Sequence, residues 1–466
     1  VGIRLALDFV FNHTSDEHEW AMKAKAGNAK YRDFYYIYKD RAEVDRWNST
    51  LREIFPTVRR GSFTYLPKKK VWVWTTFNSF QWDLNYSNPE VFLAMCEEML
   101  FIANLGVDVL RLDALAFVWK EKGTACESLP KAHTLVQAFQ YVARIACPSL
   151  EFKSEAIVHP DQVIQYIHGN ECSLSYNPLQ MALFWSTLAT RDTRLLTLSL
   201  KKRWAIPQDC AWVNYIRCHD DIGWTFSDED AGCLGINGYD HRQFLNRFFT
   251  GRFDGSFAKG EPFQQNPTTG DCRVSGTMAS LAGLEQAEQD ANSLYRTMAV
   301  ARMKMVYAVL LALPGIPLLY AGDEQAQMND YSYRDDPHRQ ADSRWVHRIS
   351  FGKPGMQDDM AGSFRYPSQK EFNEYLQMLI SLRSREPMLG GSDVFFYDCQ
   401  DSRVFAFRRG TIHVVANFSE SCSHFYIDAW SPSSTDLLTG NCYDNHQAQS
   451  LKSYEVRWLK ENISKK

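Results

Sequence analysis

Val109-Leu110-Arg111-Leu112-Asp113-Ala114 is an apolar, strand-type run that ends in a carboxylate. The same design recurs in Phe152-Lys153-Ser154-Glu155-Ala156, which delivers Glu155, and in Tyr215-Ile216-Arg217-Cys218-His219-Asp220, which delivers Asp220. A fourth run, Leu5-Ala6-Leu7-Asp8-Phe9-Val10-Phe11-Asn12-His13, ends in a histidine. Ending strand after strand in like charges gains no stability, because gathered carboxylates repel. Held at one mouth, they supply acid, base and nucleophile together. The pattern reads as an enzyme.

Working outward, short apolar runs alternate with amphipathic stretches of helical period, the signature of βα units around a parallel sheet. The strand candidates are 3–8, 107–112, 150–154, 171–175, 212–217 and 316–321; the helix candidates include 89–105, 131–147, 178–203, 293–313 and 371–385. Six strands are two short of the eight of a closed (β/α)8 TIM barrel. The expected fold class is therefore α/β, a (β/α)8 TIM barrel whose first two βα units are missing from this chain. An open doubly wound sheet is the alternative, but it does not naturally place four polar clusters around a ring. Residues 1–390 form the expected catalytic barrel, with inserted subdomains at 14–88 and 224–290. Residues 391–466 change to strand-length runs, among them 394–397, 404–408, 413–417, 424–427 and 454–458, and predict a C-terminal antiparallel β-sandwich domain.

Composition narrows the function. A net charge of −4 argues against nucleic acid or an anionic membrane as partner. The longest apolar stretch, 305–322, is interrupted by Pro314, Gly315 and Pro317, so it reads as a helix running into a buried strand, not a membrane span. Eleven scattered cysteines without a Cys-x-x-Cys pair fit free thiols in a reducing compartment, and the expected location is cytoplasmic. Trp72, Trp74, Phe77, Phe80 and Trp82 crowd one short stretch, where flat rings suit either sugar faces or a core. Lys68-Lys69-Lys70 reads as a solvated turn, and Asp8 as a structural carboxylate that hydrogen-bonds backbone or orients its neighbours.

Arg111 and Asp113 stand two apart on one strand and so share a face. A guanidinium beside a carboxylate keeps it ionised, as a nucleophile must be. Glu155, on another strand, is the partner that can hold a proton. Together they are the minimum kit for glycoside cleavage, with retention requiring a separation of about 5 Å. Asp220, His219 and His13 suit sugar hydroxyls and an oxocarbenium-like transition state.

In order and spacing these clusters resemble the conserved regions of the α-amylase superfamily, glycoside hydrolase family 13. The strings Leu51-Arg52-Glu53-Ile54-Phe55-Pro56, Trp72 to Asn85, Phe152 to Pro160 and His219 to Phe226 look like amylosucrases within it. So do Asp240-His241-Arg242-Gln243-Phe244, Gly270 to Gly276 and Asp342-Ser343-Arg344-Trp345. The resemblance implies that Asp113 is the nucleophile, Glu155 the general acid/base and Asp220 the transition-state stabiliser. It implies that His13, Phe77, Arg111 and His219 hold the glucosyl ring, and that Arg344 closes the bottom of the pocket. Asp221 and Arg273 would shape the leaving-group side, and Arg52 and Arg242 would line the acceptor channel. The implied reaction transfers glucose from sucrose to an α-1,4-glucan or maltooligosaccharide and releases fructose, without a cofactor. A sucrose hydrolase, an α-glucosidase and a non-catalytic barrel subunit remain alternatives, and oligomeric state is left open.

Two further expectations come with the resemblance. The family's partner for the pocket-bottom arginine lies upstream of the first strand, so Arg344 is expected to lack its counter-charge. Asn12 stands where some α-amylases place a calcium ligand, but no carboxylate partner is identifiable in the sequence, and no essential metal is expected.

Overall fold

A computed structural model describes residues 2–348, 364–426 and 431–462. By its internal contacts the chain divides into two units. The first is Val1–Tyr176 with Ile206–Ala211 and Gln264–Thr269; the second is Asn177–Ala205, Trp212–Phe263 and Gly270–Lys466.

The first unit is built on four parallel strands: β1 (Ala6–Val10), β2 (Val109–Asp113), β3 (Glu151–Ser154) and β4 (Leu174–Tyr176), paired in that order. The register sets Asp8 beside Arg111, Val10 beside Asp113 and Arg111 beside Lys153, so strand ends arrive together. The connecting helices are Pro89–Asn104 and Pro130–Ala146, each with proline in its first turn, where a missing N–H costs little. The Asn88 side chain caps the first of them. β1 is the edge strand among the described residues, and Leu5, Leu7 and Val10 along it are exposed.

Residues 14–88 carry a three-stranded antiparallel sheet, Ile37–Tyr38, Phe63–Leu66 and Val71–Trp74, with Lys68-Lys69-Lys70 at its hairpin turn. The aromatic crowd in this stretch divides. Trp74 and Trp82 are buried; Trp74 packs with Trp47 and Phe63 in a core, whereas Phe80 is exposed and Phe77 half-buried. Of the two readings left open, sugar faces or core, these two tryptophans take the core.

In the second unit β5 (Ala211–Tyr215) and β6 (Ile316–Leu318) pair in parallel. Gly315 at φ +103° leads into β6, where any Cβ would stand 2.3 Å from the Trp212 carbonyl, so only glycine fits. The single helix expected at 178–203 is two, Pro178–Thr190 and Arg194–Arg203. Arg191 is left-handed at φ 59°, and Thr193 turns its N–H to the Ser402 carbonyl and its hydroxyl to the Val404 carbonyl. Tertiary bonds replace the helical ladder there.

After a last long helix, Pro367–Arg385, comes a six-stranded antiparallel sheet with a separate two-stranded ribbon. Val404, Ala406, Val415 and Leu459 of the sheet pack on Phe425 and Leu451 of the ribbon. The strand expected at 424–427 is Ser423–Phe425, and Ile427 lies outside the described residues. Three short strands here, Ser433–Asp436, Cys442–Asp444 and Gln449–Leu451, are polar enough to have left no apolar run in the sequence. All eleven cysteines are free thiols, and no helix is long and apolar enough to cross a membrane among the described residues.

Candidate active site

Arg111 organises the first unit's polar cluster. Its Nη1 donates to Asp113 Oδ1 at 2.7 Å and to Asp8 Oδ1 at 3.1 Å, and its Nη2 lies 3.6 Å from Glu155 Oε1. Burial opposes its charge, but Glu155, Asp113 and Asp8 outweigh that and hold the guanidinium above its ordinary range. Glu155 is fixed a second time, because the Ala114 N–H donates to its Oε2 at 2.8 Å. Ala114 is left-handed at φ 51°, a strained turn for a residue with a Cβ, and that turn aims the N–H. Two carboxylates from neighbouring strands thus share one guanidinium. Of the two roles read for Asp8, its contact is with a neighbouring side chain, the Arg111 guanidinium.

His13 is buried 5.5 Å from the Phe77 ring, centroid to centroid, in a tilted pair. Its Nε2 faces the Gln81 amide at 2.8 Å, and its Nδ1 faces the Asn12 amide at 3.2 Å. Burial lowers its pKa against the pull of Asp113 and Asp83, so the ring stays neutral. Asn12 also donates to Asp83 at 3.3 Å, and Asp83 accepts from the Thr76 N–H and hydroxyl and from Lys120 at 2.7 Å. Burial pushes the Asp83 carboxyl up, but the Lys120 ammonium beside it prevails and holds it below its ordinary range. The carboxylate beside Asn12 is therefore neutralised by a buried ammonium, a donor set that does not suit calcium. Asp83, Gln81 and Lys120 were not singled out in the sequence; their contacts span 37–71 residues, beyond any local pattern.

Arg52 pairs in two parallel bonds with Glu127, at 2.9 and 3.0 Å, on an exposed surface.

In the second unit Asp220 is the focus. Arg344 Nη1 donates to its Oδ1 at 3.0 Å, Arg348 Nη2 lies 3.5 Å away, and His219 Nε2 is 3.2 Å from Oδ2. The expectation that Arg344 lacks a counter-charge is wrong. Asp342, two residues before it, accepts from its Nε and Nη2 at 2.9 and 2.8 Å. Burial alone would lower the Arg344 pKa, but Asp342, Asp220 and Asp221 raise it. Asp221 meets Arg273 at 3.3 Å; burial pushes its carboxyl up despite that arginine. Phe263 lies under both guanidinium groups, 5.0 Å from Arg273 and 4.5 Å from Arg344. Sequence reading missed Phe263, Asp342 as a partner, His347 and Arg348. Arg242 donates to Asp228 at 2.6 and 2.7 Å and stacks 4.8 Å from Phe226. Asp113 and Glu155 thus meet at Arg111, His13 pairs with Phe77, Asp220 and His219 gather at Arg344, and Asp221 meets Arg273, whereas Arg52 and Arg242 each face a separate carboxylate.

Comparison with known proteins agrees with this chemistry. Residues 1–220, which end at Asp220, match the family model described as alpha amylase, catalytic domain. The chain is 30% identical over 332 residues to the trehalose synthase/amylase TreS of Mycolicibacterium smegmatis, covering 69% of this chain and 49% of that protein. It is 25% identical over 387 residues to the glucosylglycerate phosphorylase of Spirochaeta thermophila, covering 82% and 60%. The chain spans about half the length of the first of these relatives. Among solved structures it is similar to sucrose 6F-phosphate phosphorylase from Thermoanaerobacter thermosaccharolyticum, with a TM-score of 0.66, 17% identity, and 89% of this chain and 78% of that one covered. That likeness concerns fold alone, the TIM barrel with its parallel sheet and the antiparallel sheet that follows. Over residues 1–220 the chain carries the catalytic domain of the alpha-amylase family, glycoside hydrolase family 13.

Proposed function

We propose that this chain is the core of a retaining glucosyltransferase of the amylosucrase type. Asp113 attacks the anomeric carbon of sucrose, the bond to the fructosyl oxygen breaks, and Glu155 gives that oxygen its proton. Fructose leaves, and a β-glucosyl ester remains on Asp113. Glu155, now ionised, takes the proton from the non-reducing-end hydroxyl of an α-1,4-glucan, whose oxygen displaces Asp113 and restores the α linkage. Asp220 stabilises the oxocarbenium-like charge of both steps, with His219, His13 and Phe77 holding the glucosyl ring. The glycosidic bond of sucrose supplies the driving force, so the chemistry calls for no cofactor. Free thiols throughout fit a reducing, cytoplasmic setting.

The observation that carries the reading is Arg111, whose one guanidinium meets Asp113 and approaches Glu155. It favours an ionised nucleophile beside a second carboxyl, the pairing of a retaining enzyme. Sucrose and glucan as the substrates rest on the long strings shared with amylosucrases. The relatives' names favour a second reading, in which the same glucosyl-enzyme forms from another small glucoside and is discharged to phosphate or water, or back to a rearranged sugar.

The test is turnover of sucrose, maltose and trehalose, with and without inorganic phosphate, following fructose, glucose, glucose 1-phosphate and glucan. Fructose well above glucose, with glucan accumulating, is the expected result. Equal fructose and glucose would make the protein a hydrolase. Phosphate-dependent glucose 1-phosphate would make it a phosphorylase, and interconversion of maltose and trehalose without fructose would overturn the sucrose reading.

A further inference from the structure

The segment that presents Asp220 is held by more than the arginines on its carboxylate. His347, almost fully buried, lies between two backbone groups from distant parts of the second unit. The Gly276 N–H donates to its Nδ1 at 3.0 Å, and its Nε2 stands 3.2 Å from the His219 carbonyl. The first bond requires a bare Nδ1; the ring's one proton is then on Nε2, where it donates to that carbonyl. Gly276 directly follows the strand Arg273–Ser275, and His219 directly precedes Asp220. The imidazole is therefore a staple between the Arg273 strand and the Asp220 segment. Arg348 Nε donates to the same carbonyl at 2.9 Å and so helps to fix that peptide plane.

The surroundings keep the ring in this state. Burial lowers its pKa well below the ordinary value, and Arg217 and Arg348 act in the same sense, whereas Asp220 opposes them. Arg217 is itself anchored away from the ring, by Nε to Asp323 at 2.9 Å, against a Tyr320 ring that lies edge-on to His347. An imidazolium would turn a second N–H against the Gly276 donor and lose that bond.

We propose that His347 is a positioning residue for the glucosylation step: neutral, with its proton on Nε2, it fixes the His219 peptide and thereby the direction in which Asp220 points. The inference rests on the retaining reading above, but not on sucrose as the donor. A glutamine at this position keeps a donor where Nε2 stands and loses the acceptor for Gly276. An asparagine keeps the acceptor where Nδ1 stands and loses the donor to His219. Both are polar and both weaken the ring's packing, so a merely structural role affects them alike.

The experiment compares His347→Gln and His347→Asn with the wild type, using α-D-glucosyl fluoride, a donor that reports glucosylation whatever the natural glucoside. Thermal midpoints are measured beside kcat and KM, and long-range 1H–15N spectra of histidine-labelled wild type report the tautomer. His347→Asn is expected to lose ~10- to 100-fold in kcat with little change in KM, as a small misplacement of a reacting group does. His347→Gln is expected to stay within a few-fold of wild type, and the spectrum to show a neutral ring protonated at Nε2. Equal kcat losses in the two variants, or unchanged kcat with lowered melting in both, would overturn the proposal, as would an Nδ1–H tautomer. If the wild type leaves glucosyl fluoride untouched, the retaining reading fails instead, while the tautomer still decides whether the staple exists.

Discussion

Two arginines organise the polar clusters of the two units, one in each, and they do so with opposite margins. Arg111 serves three carboxylates, Asp8, Asp113 and Glu155, from a nearly buried position. Arg344 serves Asp220 and Asp342, and Arg348 reaches both of the same carboxylates from further away. In the first cluster negative charge gathers on one guanidinium; in the second, two guanidinium groups gather on two carboxylates. The difference suits the proposed roles. A nucleophile and an acid/base need an environment that shifts as charge moves between them, whereas a stabiliser must stay ionised throughout. It also gives the second cluster a spare cation.

Replacing each arginine by methionine tests that asymmetry most directly. Arg111→Met is expected to lower melting by the equivalent of about 3–5 kcal/mol, the usual cost of stripping a buried group of its partner. It is also expected to reduce kcat by at least ~10³-fold, since nucleophile and acid/base lose their common anchor. Arg344→Met is expected to cost markedly less in both, because Arg348 remains. Equal losses by calorimetry and steady-state kinetics would abolish the distinction drawn here.

A smaller effect belongs to the second unit. His241, bonded to the Ser186 hydroxyl at 2.9 Å, has its pKa lowered to about 4 by burial and then by Arg242, against Asp192. The unfolded chain takes up this proton near pH 6.5, before the folded one does. Its contribution to stability is thus whole above that pH, fades as pH falls towards about 4 and is gone below, by at most ~3 kcal/mol. Melting curves from pH 7 to 4 are expected to fall less steeply for His241→Gln than for the wild type. The opposite order would show that another group governs the acid limb.

The smallest effect is expected at Arg52. Its side chain is more than half exposed, so Arg52→Ala is expected to change stability by less than ~1 kcal/mol, as surface pairs do. If Arg52 lines an acceptor channel, glucan length distributions, read by chromatography, shift while fructose release does not.

What the sequence disclosed follows from where the information lies. The carboxylates at 113, 155 and 220 were legible because each closes its own apolar run, a pattern contained in half a dozen residues. Arg111 was legible for the same reason, two positions before Asp113. The Arg344–Asp220 contact joins residues 124 apart, and Lys120 meets Asp83 only after two loops have folded together, so neither had a local signature. Aromatic crowding left two readings open because burial and exposure alternate along it: Trp74 and Trp82 are core, Phe80 is not. The helix break at Arg191 carried no glycine to announce it.

The open flank of β1 has a consequence outside catalysis. Among the described residues its pairing partner lies on one side only, and Leu5, Leu7 and Val10 are exposed along it. Any segment that pairs there, from the same polypeptide or another, adds main-chain hydrogen bonds along an open edge and covers those side chains.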